Sequence, residues 1–331
     1  MPDTGIAQRK ETMTLQAQAA AALPRLRAIT LAVLSALPVF AGANPVDPTV
    51  QAGQASFSAS GNTLTITNAP GTVIDWRGFS IAQGEITRFI QQSAASQVLN
   101  RVTGSTPSSI LGTLSSNGQV FLINPNGIAF GPHAVVDVAG LVVSSLNLSN
   151  QDFSASKFGF SASLDRPGSI RVEQGASLRA ANGGSIYLIA PTVENHGVIQ
   201  AADGAVVLAA GKSATLVDTF RPDVRVEIAA PDNEALNVGR IIGGHVGIYA
   251  GAIRHEGSVS ASTAVIGDNG TVVFKAASAV RLGGASKTIA TGDAGGSVKV
   301  QGQTDVQVDG VIDARGTTGA GGSVQITGER I

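Results

Sequence analysis

The sequence predicts an all-β protein, a right-handed parallel β-helix (solenoid) with a β cap at its N-terminal end. A short unit that begins with glycine and alternates small with β-branched residues recurs along the second half of the chain. Recurrence at a fixed step is the sequence signature of a solenoid. The i, i+3, i+4 periodicity of a helix is missing after residue 43, so the recurring units are interpreted as strands.

The glycine-led unit recurs six times, starting at Gly184, Gly204, Gly244, Gly270, Gly296 and Gly322. The separation along the chain between the second and third of these glycines is twice that between the first and second, and the last three separations are equal. Val, Ile and Leu within the unit favour a pleated strand, while Gly, Asn and Asp at its boundaries allow the positive φ of a tight corner. Such a step fits one coil of a β-helix, with successive coils about 4.8 Å apart. An antiparallel sandwich is the competing all-β fold, but it does not predict the repeated step.

The segment 44–163 lacks this regular step. It contains alternating apolar and polar residues at 56–60 and 64–67, and its most nearly helical stretch, 87–93, is too short to predict a helix. A solenoid needs a cap over its exposed core and strand edges. This segment is placed to provide that cap.

The composition excludes several classes of protein. Charged residues make up 14% of the chain, with 22 Lys and Arg against 23 Asp and Glu, and cysteine is absent. A net charge of −1 without a Lys/Arg cluster argues against nucleic-acid binding, because phosphates need neutralising. The lack of cysteine excludes disulfides and thiolate metal sites. A hydrophobic content of 43% argues against an intrinsically disordered chain.

The first 43 residues have the pattern of a secretory signal peptide with an extended basic region. The basic residues are Arg9, Lys10, Arg25 and Arg27. The apolar run at 28–40 is shorter than the roughly 20 residues that cross a bilayer, and small residues follow it. We expect cleavage after Ala43, with Ala41 as the second choice; the alternative is a buried core helix. No later segment reaches membrane-span length, so we expect no transmembrane segment in the mature chain.

Five ordered blocks resemble the filamentous haemagglutinin N-terminal domain, the secretion domain of two-partner secretion exoproteins. The blocks lie at 74–81, 98–102, 109–112, 117–131 and 140–146. The segments 228–239 and 253–261 resemble the high-molecular-weight adhesin branch of the same family. The Asn-Pro-Asn-Leu element of the haemagglutinin type is missing, which also fits the adhesin branch.

The resemblance implies a two-partner secretion (haemagglutination activity) domain at 44–165 and β-helix repeats, the start of a shaft, at 166–331. It implies an exoprotein, expected to be a surface adhesin, that passes through the periplasm and an outer-membrane transporter with periplasmic recognition domains. The protein would be secreted or displayed on a Gram-negative cell, where host-cell glycans or other surface receptors are expected partners. A β-helix polysaccharide-degrading enzyme, a secreted cytolysin and a contact-dependent toxin stalk are the alternatives.

The resemblance also nominates a secretion motif. Its residues are Asn100, Arg101, Asn124, Pro125, Asn126 and Gly127. The last four are interpreted as a turn, because proline presets φ and Asn and Gly accept left-handed geometry. Two interpretations stay open: recognition of the turn by the transporter, or a turn that only fixes the fold.

The sequence nominates no catalytic residue, cofactor or metal site, and we expect a protein that is not an enzyme. The four histidines form no His-x-x-x-His pair, and a contact between His245 and His255 is interpreted as a solvated surface pair. The densest carboxylates, Asp218, Asp223, Asp232 and Glu234, lie in a Pro-rich segment interpreted as a loop leaving the coil. Asn147 and Asn269 begin Asn-x-Ser/Thr sequons and are candidate glycosylation sites.

Overall fold

The computed structural model describes residues 44–216, 224–225, 233–262, 269–317 and 321–331. The predicted signal peptide and its cleavage site, residues 1–43, lie outside the described residues. The strands from the cap to the first excursion of the chain are β1 (Val46–Ala52), β2 (Ala55–Ser60), β3 (Thr63–Asn68), β4 (Thr72–Gly78), β5 (Ile86–Ile90), β6 (Gln97–Val102), β7 (Ser108–Ile110), β8 (Thr113–Ser116), β9 (Gln119–Ile123), β10 (Ile128–Phe130), β11 (Val135–Val138) and β12 (Gly140–Ser144).

The helix α1 (Asn150–Ser154) follows β12. The later strands are β13 (Phe158–Ser161), β14 (Ile170–Val172), β15 (Ser177–Ala180), β16 (Ile186–Ala190), β17 (Thr192–Asn195), β18 (Val198–Ala210), β19 (Ser213–Leu216), β20 (Val224–Arg225), β21 (Glu234–Asn237), β22 (Arg240–Ala250), β23 (Ala252–His255), β24 (Ser258–Ser262), β25 (Thr271–Ala276), β26 (Val280–Leu282), β27 (Lys287–Thr291), β28 (Ser297–Gln301), β29 (Val306–Val308), β30 (Val311–Asp313) and β31 (Ser323–Thr327).

Within the described residues, most strands stack in three parallel ladders. Ladder 1 joins β4, β6, β9, β12, β16, β18, β22, β25, β28 and β31. Ladder 2 joins β3, β5, β8, β11, β15, β18, β22, β24, β27 and β30. Ladder 3 joins β7, β10, β14, β17, β21, β23, β26 and β29. Each coil runs from ladder 3 through ladder 2 to ladder 1.

The register of ladder 1 reproduces the predicted repeat. Val206 pairs with Val246, Val246 with Val272, and Val272 with Val298. The steps between these partners equal the steps between the glycines that precede them in the sequence. The parallel β-helix is therefore confirmed, and the antiparallel sandwich is excluded. The stretch at 87–93 belongs mainly to strand β5.

The N-terminal cap uses antiparallel pairing. Strand β1 pairs with β4 and β2 pairs with β3, so the first strands of ladders 1 and 2 are covered on the side that has no preceding coil. Phe57 of β2 packs edge-on against Trp76 (centroid distance 5.7 Å), whose other aromatic contact is Phe79 at 5.6 Å. These aromatic rings close the end of the bore, and the predicted β cap is confirmed.

Positive φ is found at boundary residues just before the repeats, at Gly183, Asp203 and Gly295, whereas the glycines that lead the repeats are required for a different reason. The glycines at the positive-φ corners do not include the six that lead the repeats. Instead, a Cβ added at Gly204 would overlap the carbonyl oxygen of Gly184, and one at Gly322 would overlap that of Gly296. Because the backbones of successive coils meet directly at this corner, there is no room for a side chain.

Side chains on ladder 1 alternate between the bore and an outer layer. In β9, Val120 and Leu122 belong to the bore core, while Phe121 and Ile123 belong to a second apolar cluster outside it. Both clusters are buried, so the strand is apolar on both faces. This explains why the central strands form continuous hydrophobic runs in the sequence rather than alternating ones.

The outer cluster is covered by two excursions of the chain. The first, between β12 and β14, carries α1 and β13, and the second, after β18, carries β19 and β20. Strand β13 pairs antiparallel with β19, which pairs with β20. Phe121 of β9 contacts Phe153 and Phe158 of the first excursion, both at a centroid distance of 5.2 Å. The sequence did not predict this outer layer.

The second excursion accounts for the doubled repeat step. Strand β18 is followed by an excursion, and the chain re-enters ladder 3 at β21, which begins at Glu234. Asp218, Asp223 and Asp232 lie outside the described residues. Glu234 itself forms an ion pair with Arg254 on the next coil, with an N to O distance of 3.8 Å, as expected for a structural surface residue.

We expect Gly204→Ala to destabilise the protein by about 1–3 kcal/mol, because the added methyl group overpacks a backbone contact between coils. Gly284→Ala is the matched control. Gly284 has an ordinary backbone conformation and open space around its Cβ position, so alanine there should be neutral or stabilising by up to about 1 kcal/mol. Urea denaturation measures the free energy of unfolding of both variants. Equal stability of the two variants would contradict a tight backbone contact between Gly204 and the Gly184 carbonyl.

Candidate functional site

The Asn124-Pro125-Asn126-Gly127 segment forms a tight turn between β9 and β10, where the chain passes from ladder 1 to ladder 3. The Gly127 N–H donates to the Asn124 carbonyl at 3.0 Å and closes the turn. The Asn126 N–H donates to Asn124 Oδ1 at 3.0 Å, so the side chain of Asn124 mimics a second backbone turn. Gly127 has φ +105°, a conformation that favours glycine.

The turn lies between two neighbouring layers of chain and is bonded to both. Toward the preceding coil, Asn124 Nδ2 donates to the Thr106 carbonyl (3.0 Å) and to Ser108 Oγ (2.9 Å). Asn126 Nδ2 donates to the Gly104 carbonyl at 2.9 Å. Toward the following layer, the Gly168 N–H donates to the Pro125 carbonyl at 2.8 Å.

Gly168 marks the point where the first excursion returns to the helix. A Cβ at Gly168 would overlap the Asn126 carbonyl group, and the neighbouring Ser169 carbonyl accepts a hydrogen bond from the Ile128 N–H at 3.0 Å. The returning chain therefore packs against the turn and is hydrogen-bonded to it. Neither Ser108 nor Gly168 was nominated from the sequence, because their roles depend on contacts between coils that no local pattern records.

The burial of the turn limits what it presents to a partner. Asn124 has no exposed surface and Gly127 is buried, while Pro125 and Asn126 are half-buried. Asn124 uses both amide atoms within the protein. In the folded chain the motif therefore acts as a structural turn; recognition of the motif by a transporter stays a prediction.

Asn100 lies inside the bore. It pairs with Ile74 and Leu122 in ladder 1 and is fully buried. Its Oδ1 accepts a hydrogen bond from Trp76 Nε1 at 3.0 Å, and its Nδ2 donates to the Phe121 carbonyl at 3.2 Å. Burying a polar side chain costs free energy unless it is paired, so Asn100 fixes the indole of the cap and offers nothing to solvent.

Arg101, the next residue, points outward and ties ladder 1 to the first excursion. One guanidinium nitrogen donates to the Leu148 carbonyl and to Asn150 Oδ1, both at 2.7 Å. The other terminal nitrogen faces Asp75 at 3.3 Å, and only 17% of the arginine side chain and 18% of the aspartate side chain are exposed. Arg101 thus positions α1 over ladder 1.

The two predicted sequons differ in their surroundings. Asn147 is half-buried, and its backbone exchanges hydrogen bonds with Ser161 at 2.8 and 3.1 Å. Asn269 is also half-buried and lies just before β25, where its carbonyl accepts a hydrogen bond from Thr271 Oγ1 at 3.4 Å. Glycosylation of these residues stays a prediction.

The surface interpretation of His255 is wrong. Its side chain is fully buried in the bore and stacks on Phe274 at a centroid distance of 5.4 Å. His255 ends an internal amide ladder: Asn195 Nδ2 donates to Asn237 Oδ1 at 2.8 Å, and Asn237 Nδ2 lies 3.0 Å from His255 Nδ1. His245 lies on ladder 1, so the two histidines are on different faces.

Among the residues that the structure describes, no cluster of three or more His, Asp or Glu side chains could hold a metal ion. No helix in this described part of the chain is long and apolar enough to cross a membrane.

One known family model covers the residues that form the parallel β-helix, its antiparallel cap and the buried asparagine turn. The TPS (two-partner secretion) secretion domain model matches residues 41–326. The chain belongs to the TPS secretion domain family. The family predicted from the motif blocks is thereby confirmed. Such a domain is part of an exoprotein that crosses the outer membrane of Gram-negative bacteria with a partner transporter.

Solved structures of this family are similar over most of the chain. The HMW1 secretion domain from Haemophilus influenzae is 31% identical with a TM-score of 0.77, over 86% of this chain and 85% of that chain. The filamentous hemagglutinin secretion domain is 17% identical with a TM-score of 0.57, over 86% of this chain and 99% of that chain, and shares the fold.

Two curated relatives from Haemophilus influenzae are each named heme/hemopexin-binding protein. One, from strain Rd, is 42% identical over 105 residues, which are 31% of this chain and 12% of the relative. The other is 36% identical over 87 residues, which are 26% of this chain and 9% of the relative. The match therefore spans about a tenth of each relative's length. The relatives are secretion domains and exoproteins named for binding rather than for catalysis.

We expect Asn124→Ala to lower the free energy of unfolding by about 1–3 kcal/mol, because Ser108 and the Thr106 carbonyl lose their buried partner. Asn182→Ala is the control, since Asn182 is exposed and a surface substitution should stay within about 0.5 kcal/mol. Urea denaturation measures both variants. An Asn124→Ala protein as stable as the control would contradict the structural role of the turn.

The burial of His255 predicts acid sensitivity. Burial lowers the pKa of His255 from 6.5, and this outweighs the Asn237 and Lys287 carbonyls and Glu256, which favour the charged form. The unfolded state therefore binds the proton first, so the free energy of unfolding falls as the pH drops below 6.5. Protonation of Nδ1 would also remove the acceptor that faces Asn237 Nδ2.

His255→Asn tests this effect, because asparagine continues the amide ladder and does not titrate. Urea denaturation at pH values above and below 6.5 should show a smaller loss of stability on acidification for His255→Asn than for the natural protein. Equal losses in both proteins would assign the acid sensitivity to other groups.

Proposed function

We propose that this chain directs its exoprotein through an outer-membrane transporter whose periplasmic domains bind it, and that the exported protein is a surface adhesin or haemagglutinin. The observation that supports the export role is the match to the HMW1 secretion domain, which extends over 86% of the chain at 31% identity. The adhesin role is supported by the resemblance of segments 228–239 and 253–261 to the high-molecular-weight adhesin branch. In this proposal the protein is secreted to or displayed on the cell surface, where glycans or other receptors are its partners.

Export through a narrow pore requires an unfolded chain, and two features of this protein suit it to that route. The chain contains no cysteine, so no disulfide loop hinders threading. Its coils stack on one another in sequence order, so each coil that emerges finds its hydrogen-bonding partner already in place. Folding outside the cell would then oppose return of the chain.

The burial of the motif in the folded protein limits the time at which the transporter can contact its asparagines. Asn100 and Asn124 are fully buried after folding, whereas an unfolded chain offers both amides to a partner. We propose that the transporter contacts the segments around Asn100 and Asn124 before the cap closes. The surface parts of Pro125 and Asn126 are the portions of the turn that stay accessible afterwards.

The functional division at residues 165 and 166 remains part of this proposal. Residues 44–165 contain the cap, the motif and most of the first excursion, and residues 166–331 continue the repeats toward a shaft. The pairing of Phe158 with Leu216 crosses that boundary, so an isolated 44–165 fragment would leave β13 without its partner. Secretion is therefore best tested in the whole chain.

A second candidate for the exported protein's role is heme or hemopexin binding. It is favoured by the 42% identity over 105 residues to a relative of that name. The match covers 12% of that relative, so the shared segment supports common export and carries less weight for a common ligand. Binding of heme and of hemopexin by the secreted exoprotein, compared with adhesion of cells that display it, separates the two roles.

The export proposal predicts that Asn124→Ala and Asn126→Ala reduce secretion, whereas Glu234→Ala and His245→Ala do not. Each asparagine substitution removes hydrogen bonds or a transporter contact at the motif, a loss of about 1–3 kcal/mol. Glu234 lies in the repeats, in a weak surface ion pair worth at most about 1 kcal/mol. The measurement is the amount of exoprotein in supernatant and periplasm with the transporter co-expressed.

Thermal unfolding of the purified variants distinguishes the two interpretations of the motif. Reduced export with an unchanged melting temperature supports recognition by the transporter, and reduced export with a lowered one supports the structural turn. Normal export of both asparagine variants would remove the motif from the proposed function.

A further inference from the structure

Asn126 and Gly127 form one of four Asn-Gly pairs in the chain. The others are Asn117-Gly118, Asn182-Gly183 and Asn269-Gly270. Asparagine is chemically labile in proteins, and a following glycine exposes the peptide nitrogen because it carries no side chain. That nitrogen can attack the asparagine Cγ, so each pair is open to deamidation whenever the two groups can meet.

The folded protein prevents this reaction at the motif. The Gly127 nitrogen is engaged with the Asn124 carbonyl at 3.0 Å. The Asn126 amide is held by the Gly104 carbonyl at 2.9 Å and by Asn124 Oδ1 at 3.2 Å. Attack would require both groups to leave their partners, so the turn must open before the pair can react.

Deamidation here would destroy the interactions that hold the turn. Asn126 Nδ2 donates to two acceptors, the Gly104 carbonyl and Asn124 Oδ1. An aspartate carboxylate has no hydrogen to donate, so the product would place a negative charge beside two oxygens. Burying a charge without a partner is costly, and the isoaspartate product would also lengthen the backbone within the turn.

We propose that Asn126-Gly127 is a deamidation site that is open only while the chain is unfolded, and that its modification prevents the domain from folding. The Gly127 nitrogen loses its proton and forms a bond to Cγ of Asn126, and the bond from Cγ to Nδ2 breaks with release of ammonia. Water then opens the resulting succinimide to aspartate or isoaspartate. No oxidant or cofactor is needed, so the time that a chain waits unfolded before export determines how much of it is lost.

Asn182-Gly183 provides an internal control. Asn182 is exposed in a corner turn, with Gly183 at φ +75° and its N–H bonded to the Ala202 carbonyl at 2.8 Å. The side chain of Asn182 therefore faces water, and a carboxylate there is tolerated. Conversion of Asn182 to aspartate therefore reports the chemistry of the solution without affecting the fold.

The experiment incubates the purified full chain at mildly alkaline pH, with and without urea, and maps deamidation at all four pairs by peptide mass spectrometry. The urea sample is then diluted to allow refolding, and protease-resistant and protease-sensitive molecules are separated. We expect Asn126 to be modified in urea and protected without it. Modified Asn126 should be lost from the refolded fraction, whereas Asn182 that has been converted to aspartate should be equally abundant in both fractions.

Three substitutions make the outcome decisive. Asn126→Asp should fail to refold or show a large fall in melting temperature, while Asn182→Asp should behave like the natural protein. In urea, Gly127→Ala should slow deamidation of Asn126 and leave that of Asn182 unchanged. Equal deamidation of Asn126 in native and urea samples, or normal refolding of Asn126→Asp, would overturn the proposal. Neither result depends on the transporter, so the proposed function is tested separately.

Discussion

The constraint on which this fold depends is the direct contact between backbones of successive coils at their corners. Parallel ladders require every coil to repeat the path of the one before it, and the chain can turn in register only where no side chain intervenes. The carbonyl oxygen of Gly184 occupies the space that a Cβ of Gly204 would need, and Gly296 and Gly322 repeat the arrangement. At Gly204 and Gly322, glycine is therefore required by stacking rather than by a positive φ.

A second constraint is the pairing of polar groups inside a narrow apolar bore. The structure meets it with side-chain amides that bond along the helix axis. Asn100 binds the indole of Trp76 and a backbone carbonyl, and Asn195 and Asn237 carry a ladder to His255. The motif turn uses the same kind of bond, since its two asparagines bind backbone groups of the preceding coil. A residue type that is typical of surface turns is thus part of the interior.

The repeats were predictable because their period is visible in the linear sequence. Glycine spacing predicted the register of ladder 1 from β16 to β31, and the motif blocks predicted the family. The outer layer was not predictable, because two coils separate β13 from its partner β19 along the chain. The burial of His255 was missed because ladder position, not local composition, decides which way a strand residue faces. Gly168 was missed for the same reason: its importance comes from the Asn126 carbonyl opposite it.

The pairing between β13 and β19 has a consequence for the order in which the molecule folds. Neighbouring coils are joined by contacts one repeat apart, whereas Phe158 meets Leu216 only after two further coils have been added to the chain. Contacts distant in sequence form more slowly, because loop closure must precede them. When the N-terminal end of the chain emerges first, the bore closes coil by coil and Phe153 and Phe158 can already cover Phe121, but β13 still lacks its strand partner β19. The outer layer is completed only once Leu216 is outside, so assembly has an early inner stage and a delayed outer one.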